Sequence, residues 1–174
     1  MTDEERIEVI DEFLNDRGAL IMNRAHAAGL GIGIACTMVD KESDGRNIFG
    51  ADFGTIGVDE VPFARLPVTR ERVQALLRHI DAGGASNGVG LTQLTFPPFI
   101  RDAEARGGAH RPRFQLDVGF EILRDLTNRH GIKNGFAAYN GGEGPGMFGD
   151  KAQRYGQDAV NVLATWRSRL EIII

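Results

Sequence analysis

A single cysteine, Cys36, serves the whole 174-residue chain, so neither an intramolecular disulfide nor a paired-thiolate metal site can form. The four histidines, His26, His79, His110 and His130, show no HxH or HExxH spacing. That disfavours zinc hydrolase chemistry and reads each as a surface or helix-end residue; no metal and no cofactor are expected. No apolar stretch approaches the ~20 residues a membrane-spanning helix needs, so no membrane insertion is expected. Neither sign of charge is concentrated: the net charge is −4 and Lys and Arg are scattered, against the basic surface that nucleic acid as a partner requires. The N-terminal "MTDEERIEVI" is acidic and amphipathic, unlike a secretory signal peptide, which predicts a product made and kept in the cytosol. What remains is ordinary in composition, 42% apolar and 25% charged, and long enough for one domain with a proper core.

Periodicity predicts a mostly helical chain. Residues 3–28 read as one long helix, with Thr2 and Glu5 as a capping box and Ile7, Ile10, Phe13, Leu14 and Ile21 as its stripe. Gly29, Gly31 and Gly33 separate it from a second helix over 30–43. From Arg46 to Gly57 ("RNIFGADFGTIG") the helical period is lost and glycines punctuate the pattern, as in a small irregular β-hairpin. After a proline-bearing loop at 61–68, Thr69 caps a helix to about Ala82, ended by Gly83-Gly84. Leu91–Ala105 reads as helical, with Pro97 and Pro98 starting its main part. Further helices are expected over 114–130, 132–140 and 150–170, the last packing Tyr155, Val162, Leu163 and Trp166. The fold class is α+β, predominantly α-helical.

Some motifs are better explained by packing than by chemistry. "GLGIGIA" (29–35) has a superficial likeness to a dinucleotide loop, but no strand precedes it and the glycine spacing is incomplete. Cys36, inside an apolar helix, reads as a packed thiol rather than a nucleophile.

The run "GIACTMVDKESDG" is different, because Ile32, Ala35, Val39 and Glu42 step by three or four residues and share one helical face. Glu42 thus continues an apolar stripe while Asp40 and Lys41 point away. A carboxyl so placed is partly desolvated, which favours its protonated form and suits a general acid. "GVGLTQL" (88–94) sets a glycine-rich turn beside a helix start and presents Gln93, whose amide can donate to and accept from sugar hydroxyls. "FAAYNGGEGPG" (136–146) places Tyr139 and Asn140 at the end of a short apolar helix, where a tyrosine can orient a carboxyl or stack on a pyranose.

In this order, "KES…GVGLTQL…AAYNGG" resembles the three signature blocks of the lytic transglycosylase and goose-type lysozyme superfamily: a catalytic Glu followed by Ser, a G-h-x-Q segment and an A-Y-N-x-G segment. "GRNIFGADF", "NGVGLTQLT" and "GGAHRPRFQLDVGFEIL" resemble more closely the muramidase domains in endolysins of phages that infect actinobacteria. The likeness spans about residues 33–169. It implies a lysozyme-like fold with a small β-hairpin beside the cleft, as a single catalytic domain over 1–174, either whole or excised from a longer endolysin. It implies Glu42 as the catalytic acid, with Ser43, Gln93, Tyr139 and Asn140 in the substrate site. The implied partner is the glycan strand of peptidoglycan, met by a monomer held in the host cytoplasm until a separate protein breaches the membrane. One departure is plain: the commonest transglycosylase pattern has Met before the Gln, where this chain has Thr92.

Two reaction branches follow. A lytic transglycosylase uses the same Glu as acid and then as base toward the sugar's own C6 hydroxyl, giving a 1,6-anhydro end. A hydrolase needs a group to activate water, and Asp52 in "FGADFG" is the candidate, against the reading of an Asp satisfying backbone N–H groups in a turn. Asp44, Asp59 and Glu143 are further alternatives. A non-catalytic glycan-binding domain is a third reading, weakened because binding alone needs no acid on an apolar helix face.

Overall fold

In a computed structural model, residues 1–51 and 64–171 are described. Seven α-helices are found among them: α1 (Asp3–Phe13), α2 (Gly18–Ala28), α3 (Ile32–Ser43), α4 (Arg70–Asp81), α5 (Pro97–Arg106), α6 (Pro112–Gly141) and α7 (Asp150–Arg169). The chain is predominantly helical, as its periodicity predicts, and no helix among the described residues is long and apolar enough to cross a membrane. It falls into two compact units, Met1–Lys41 with Phe120–Ile174, and Glu42–Gly119.

In the first unit the expected capping box is present: Thr2 N–H donates to Glu5 and Glu5 N–H to the Thr2 hydroxyl. The single long helix expected over 3–28 is instead two. Asn15 and Asp16 take left-handed φ of 55° and 56°, a conformation these short polar residues tolerate, and α2 restarts at Gly18. The Gly18 N–H donates to Asp11 Oδ1 (2.6 Å), and a Cβ at Gly18 would strike the Ile7 carbonyl, so the glycine lets the two helices close together. The apolar stripe hides this break because Ile10, Leu14 and Ile21 are all fully buried on either side of it.

Helix α3 shows a second difference. Ala35 and Val39 are buried as expected, but Asp40 and Lys41 do not simply turn toward water. Asp40 Oδ2 accepts the indole N–H of the fully buried Trp166 at 2.9 Å, and the Lys41 ammonium lies 4.3 Å above the Tyr155 ring. The helix therefore buries a second face against α7, with an ion at each polar contact. Phe13 meets Trp166 edge-on, and the Arg169 guanidinium lies 3.7 Å from the centre of the Phe13 ring. Helix α6 is broken at Gly131 (φ 76°, ψ 167°), the glycine that was expected to end one helix before another at 132–140. Gly156 of α7 fits tightly over the Lys133 carbonyl.

In the second unit Thr69 caps α4 as expected, its hydroxyl accepting the Arg72 N–H at 3.3 Å. The expected helix 91–105 is shorter. Residues Gly90–Thr92 form a 3-10 turn, Gln93 is left-handed, and α5 begins only at Pro97, because a proline holds the residue before it in extended backbone. No strand is found among the described residues. Ile48 and Phe49 instead make isolated antiparallel bridges to Pro67 and Val89, so residues 47–50 lie between 65–68 on one side and 88–90 on the other. Of the hairpin expected over 46–57, residues 52–57 lie outside the described residues.

The Trp166–Asp40 contact is testable. Trp166→Phe removes the only donor of this bond and should cost about 2–3 kcal/mol, a fall in Tm of about 5–10 °C. Asp40→Asn keeps an acceptor oxygen and should cost clearly less; equal losses in thermal melts would show that the hydrogen bond matters little.

Candidate functional site

Glu42 and Ser43 close the last turn of α3 and belong to the second unit. Asp44 and Gly45, at φ 55° and 70°, then reverse the chain. Glu42 is half-buried and Ser43 buried. The Ser43 hydroxyl donates to the Leu91 carbonyl at 3.0 Å, a contact across 48 residues of sequence that ties the Glu-Ser pair to the glycine-rich turn. Asp44 is a surface residue whose carboxylate faces Arg46 at 3.7 Å.

The turn itself is held by carboxamides. Asn87 Nδ2 donates to the Gly50 carbonyl at 2.9 Å, and Asn87 Oδ1 accepts the Gly88 N–H at 2.8 Å. Gln93, left-handed at φ 47°, folds its side chain back over Gly88. Its Nε2 donates to the carbonyls of Ile48 (3.0 Å) and Gly90 (2.7 Å). The amide donors of Gln93 are thus committed to the protein's own backbone, and its Oε1 is the atom left to meet a ligand. Thr92, at the position of the departure from the transglycosylase pattern, is fully buried, and its hydroxyl donates to the Gln115 carbonyl at 2.9 Å. A Cβ at Gly119 would collide with Thr92, so a small residue on α6 makes the space that Thr92 fills.

The residue that organises these contacts was not among those expected. Gln115 in α6 is fully buried, accepts the Leu91 N–H on Oε1 (3.0 Å), and donates from Nε2 to the Ala109 carbonyl (2.7 Å) and to Asn47 Oδ1 (2.9 Å). Asn47 in turn donates to the His110 carbonyl at 3.2 Å. Gly90 at φ 73° lies directly against this carboxamide, and a Cβ there would occupy the same space. The sequence signal was available: a Gln on an otherwise apolar helix face, three residues before Val118 and four before Gly119.

Tyr139 and Asn140 lie in the first unit, at the end of α6. Tyr139 is half-buried against the cluster of Leu126, Ala137, Ala138, Met147 and Ala152, while Asn140 is exposed. The loop that follows is anchored by Glu143, whose Oε1 lies 2.8 Å from His130 Nε2 and 2.6 Å from Arg129. These partners, His130 first, hold the Glu143 carboxyl below the usual carboxylate range, which suits an ion pair rather than a proton donor. Asp52 and Asp59, two of the carboxylates weighed for activating water, lie outside the described residues. Among the described residues, no group of three or more His, Cys, Asp or Glu is placed to hold a metal ion. Cys36 is fully buried, and burial, with the Asp40 carboxylate adding, pushes its thiol far above the ordinary range. Comparisons with models of protein families, with curated proteins and with solved structures find no match.

Two outcomes follow from this geometry. Gln115→Met keeps the shape but strands the Leu91 N–H and the Ala109 carbonyl, and should cost about 3 kcal/mol, lowering Tm by about 6–12 °C; a melt within 2 °C of wild type, on the order of 1 kcal/mol or less, contradicts the central role of this residue. Cys36 should resist an aromatic disulfide reagent at pH 8 in the folded protein and react fully in denaturant. Rapid reaction in the native state would show an accessible thiolate.

Proposed function

We propose that this chain is a peptidoglycan-degrading muramidase that cleaves the β-1,4 bond between N-acetylmuramic acid and N-acetylglucosamine. The reading carries with it a lysozyme-like fold, with a small β-hairpin built on segment 46–57 beside the cleft, and the biological setting of a phage endolysin. The observation that carries it is the Ser43–Leu91 hydrogen bond. It joins the Glu-Ser block to the Gly-Leu-Thr-Gln block, so two of the three segments that the superfamily places at one site belong to one hydrogen-bonded framework here.

The chemistry assigned to each group follows from what the bond needs. Breaking it requires a proton on the leaving oxygen while positive charge grows at the anomeric carbon. Glu42, half-buried at the end of a helix whose next residue is fixed, is the proton donor. At the half-buried end of the turn 88–93, Gln93 Oε1 is an acceptor for sugar hydroxyls and N-acetyl N–H groups. Asn140, exposed beyond Tyr139, supplies a second carboxamide for the same class of ligand. Water, activated by Asp52, is the nucleophile in the hydrolytic branch.

Glu42→Gln keeps the shape and removes the transferable proton. Lysis of purified cell walls should fall by ~10²-fold or more with the melt unchanged, and activity within a few fold of wild type would overturn the assignment. Mass spectrometry of the products separates the branches. Reducing muramic acid ends, lost together with activity in Asp52→Asn, mark a hydrolase. Products one water lighter, with Asp52→Asn still active, mark a lytic transglycosylase.

A further inference from the structure

We propose that Gln115 is a positioning residue of the cleavage reaction, whose buried carboxamide fastens both ends of the chain reversal beside Glu42 and so fixes the acid. This rests on the muramidase reading above. It adds a residue that lies outside the Glu-Ser, Gly-Leu-Thr-Gln and Ala-Tyr-Asn blocks.

The reversal is short. Ser43 follows the acid directly, Asp44 and Gly45 turn the chain at left-handed φ, and the Arg46 N–H closes the turn onto the Ser43 carbonyl at 3.0 Å. At its first end the Ser43 hydroxyl donates to the Leu91 carbonyl, and the Leu91 N–H donates to Gln115 Oε1. At its far end Asn47 Oδ1 accepts directly from Gln115 Nε2. One carboxamide thus reaches both ends of segment 43–47. The next carbonyl along, that of Ile48, receives the Gly90 N–H at 3.0 Å as well as Gln93 Nε2, so the glycine-rich turn is set against the same support.

The carboxamide has one orientation available. The Leu91 N–H only donates and the Ala109 carbonyl only accepts, so Oε1 and Nε2 cannot exchange places. Both Nε2 hydrogens are used, by Ala109 and Asn47, and the side chain is fully buried. Gln115 therefore cannot touch a sugar, and its effect on the reaction passes through the residues that it holds. An apolar side chain of this length would fill the same volume, but only directional bonds define where the reversal lies. A proton donor must stand within hydrogen-bond reach of the leaving oxygen, and a displacement of about 1 Å can cost on the order of a hundredfold in rate. Support of this kind acts on the rate of bond cleavage rather than on affinity.

The test is steady-state cleavage of soluble, uncrosslinked peptidoglycan strands, at a temperature where circular dichroism shows each variant folded. Gln115→Met should lower kcat about tenfold or more while KM changes less than about threefold. Leu76→Ala, which deletes fully buried packing on α4 and lowers the melt comparably, is the control for loosening alone and should leave kcat within about twofold. Should Gln115→Met fail to fold, Asn47→Ala releases one end of the reversal and should lower kcat about three- to tenfold. A kcat near wild type in the variant that folds overturns the positioning role. So does an equal fall in Leu76→Ala, or a loss carried by KM with kcat preserved. In each of these cases wild-type cleavage leaves the muramidase reading standing. A wild-type protein that does not cut the strands removes that reading and the positioning role with it.

Discussion

The side-chain amide of Gln115 sits at the centre of a hydrogen-bonded chain that runs through most of the second unit. Gln74 donates to Glu104, Glu104 accepts the Ala109 N–H, and the Ala109 carbonyl accepts from Gln115. Gln115 holds the Leu91 N–H, and the Leu91 carbonyl receives the Ser43 hydroxyl. Each link is a buried or half-buried polar group that would cost about 1–3 kcal/mol if left unmatched. Helices α4 and α5, the glycine-rich turn and the end of α3 are thereby held in register by polar bonds rather than by apolar packing alone. Gly90 is small for the same reason, since a side chain there would displace Gln115, and a side chain at Gly119 would displace Thr92, whose hydroxyl bonds the Gln115 carbonyl.

That framework changes how the glycine-rich turn is understood. A Gln beside a ligand site is ordinarily credited with meeting the ligand through both ends of its amide. Here Nε2 is consumed by Ile48 and Gly90, so Gln93 first shapes the turn and only then offers one acceptor. Thr92 serves similarly: its hydroxyl is matched to α6, and its small size fits above Gly119. The size of Thr92 is thus accounted for by a glycine on α6.

How much of this was legible depended on the range of the forces involved. Local signals are legible: the Thr2–Glu5 box, the Thr69 cap and the break at Gly131 each depend on residues within one helical turn. The break at Asn15-Asp16 is hidden because two short amphipathic helices in sequence carry the same apolar stripe as one long helix. The contacts of Asp40 and Lys41 are hidden too, because charge alone does not reveal a distant indole or phenol. At the site, the placement of Glu42 and Ser43 at a helix end was legible. The direction of the Gln93 amide and the role of Gln115 were not, since they are set by contacts to Ile48, Asn47 and Leu91 across long stretches of chain.

The distribution of chromophores has a practical consequence. The chain has one tryptophan and two tyrosines, and Trp166, Tyr139 and Tyr155 all fall within the first unit, while the second contains only phenylalanine among the aromatics. Intrinsic fluorescence therefore watches one half of the molecule and is blind to the half that carries Glu42, Ser43 and Gln93. An emission-detected unfolding curve reports when the indole loses its carboxylate, whereas far-UV circular dichroism averages over helices of both units. Coincidence of the two curves is the condition under which the units unfold together. A gap between them would mean that ordinary fluorescence overlooks the opening of the segment bearing Glu42.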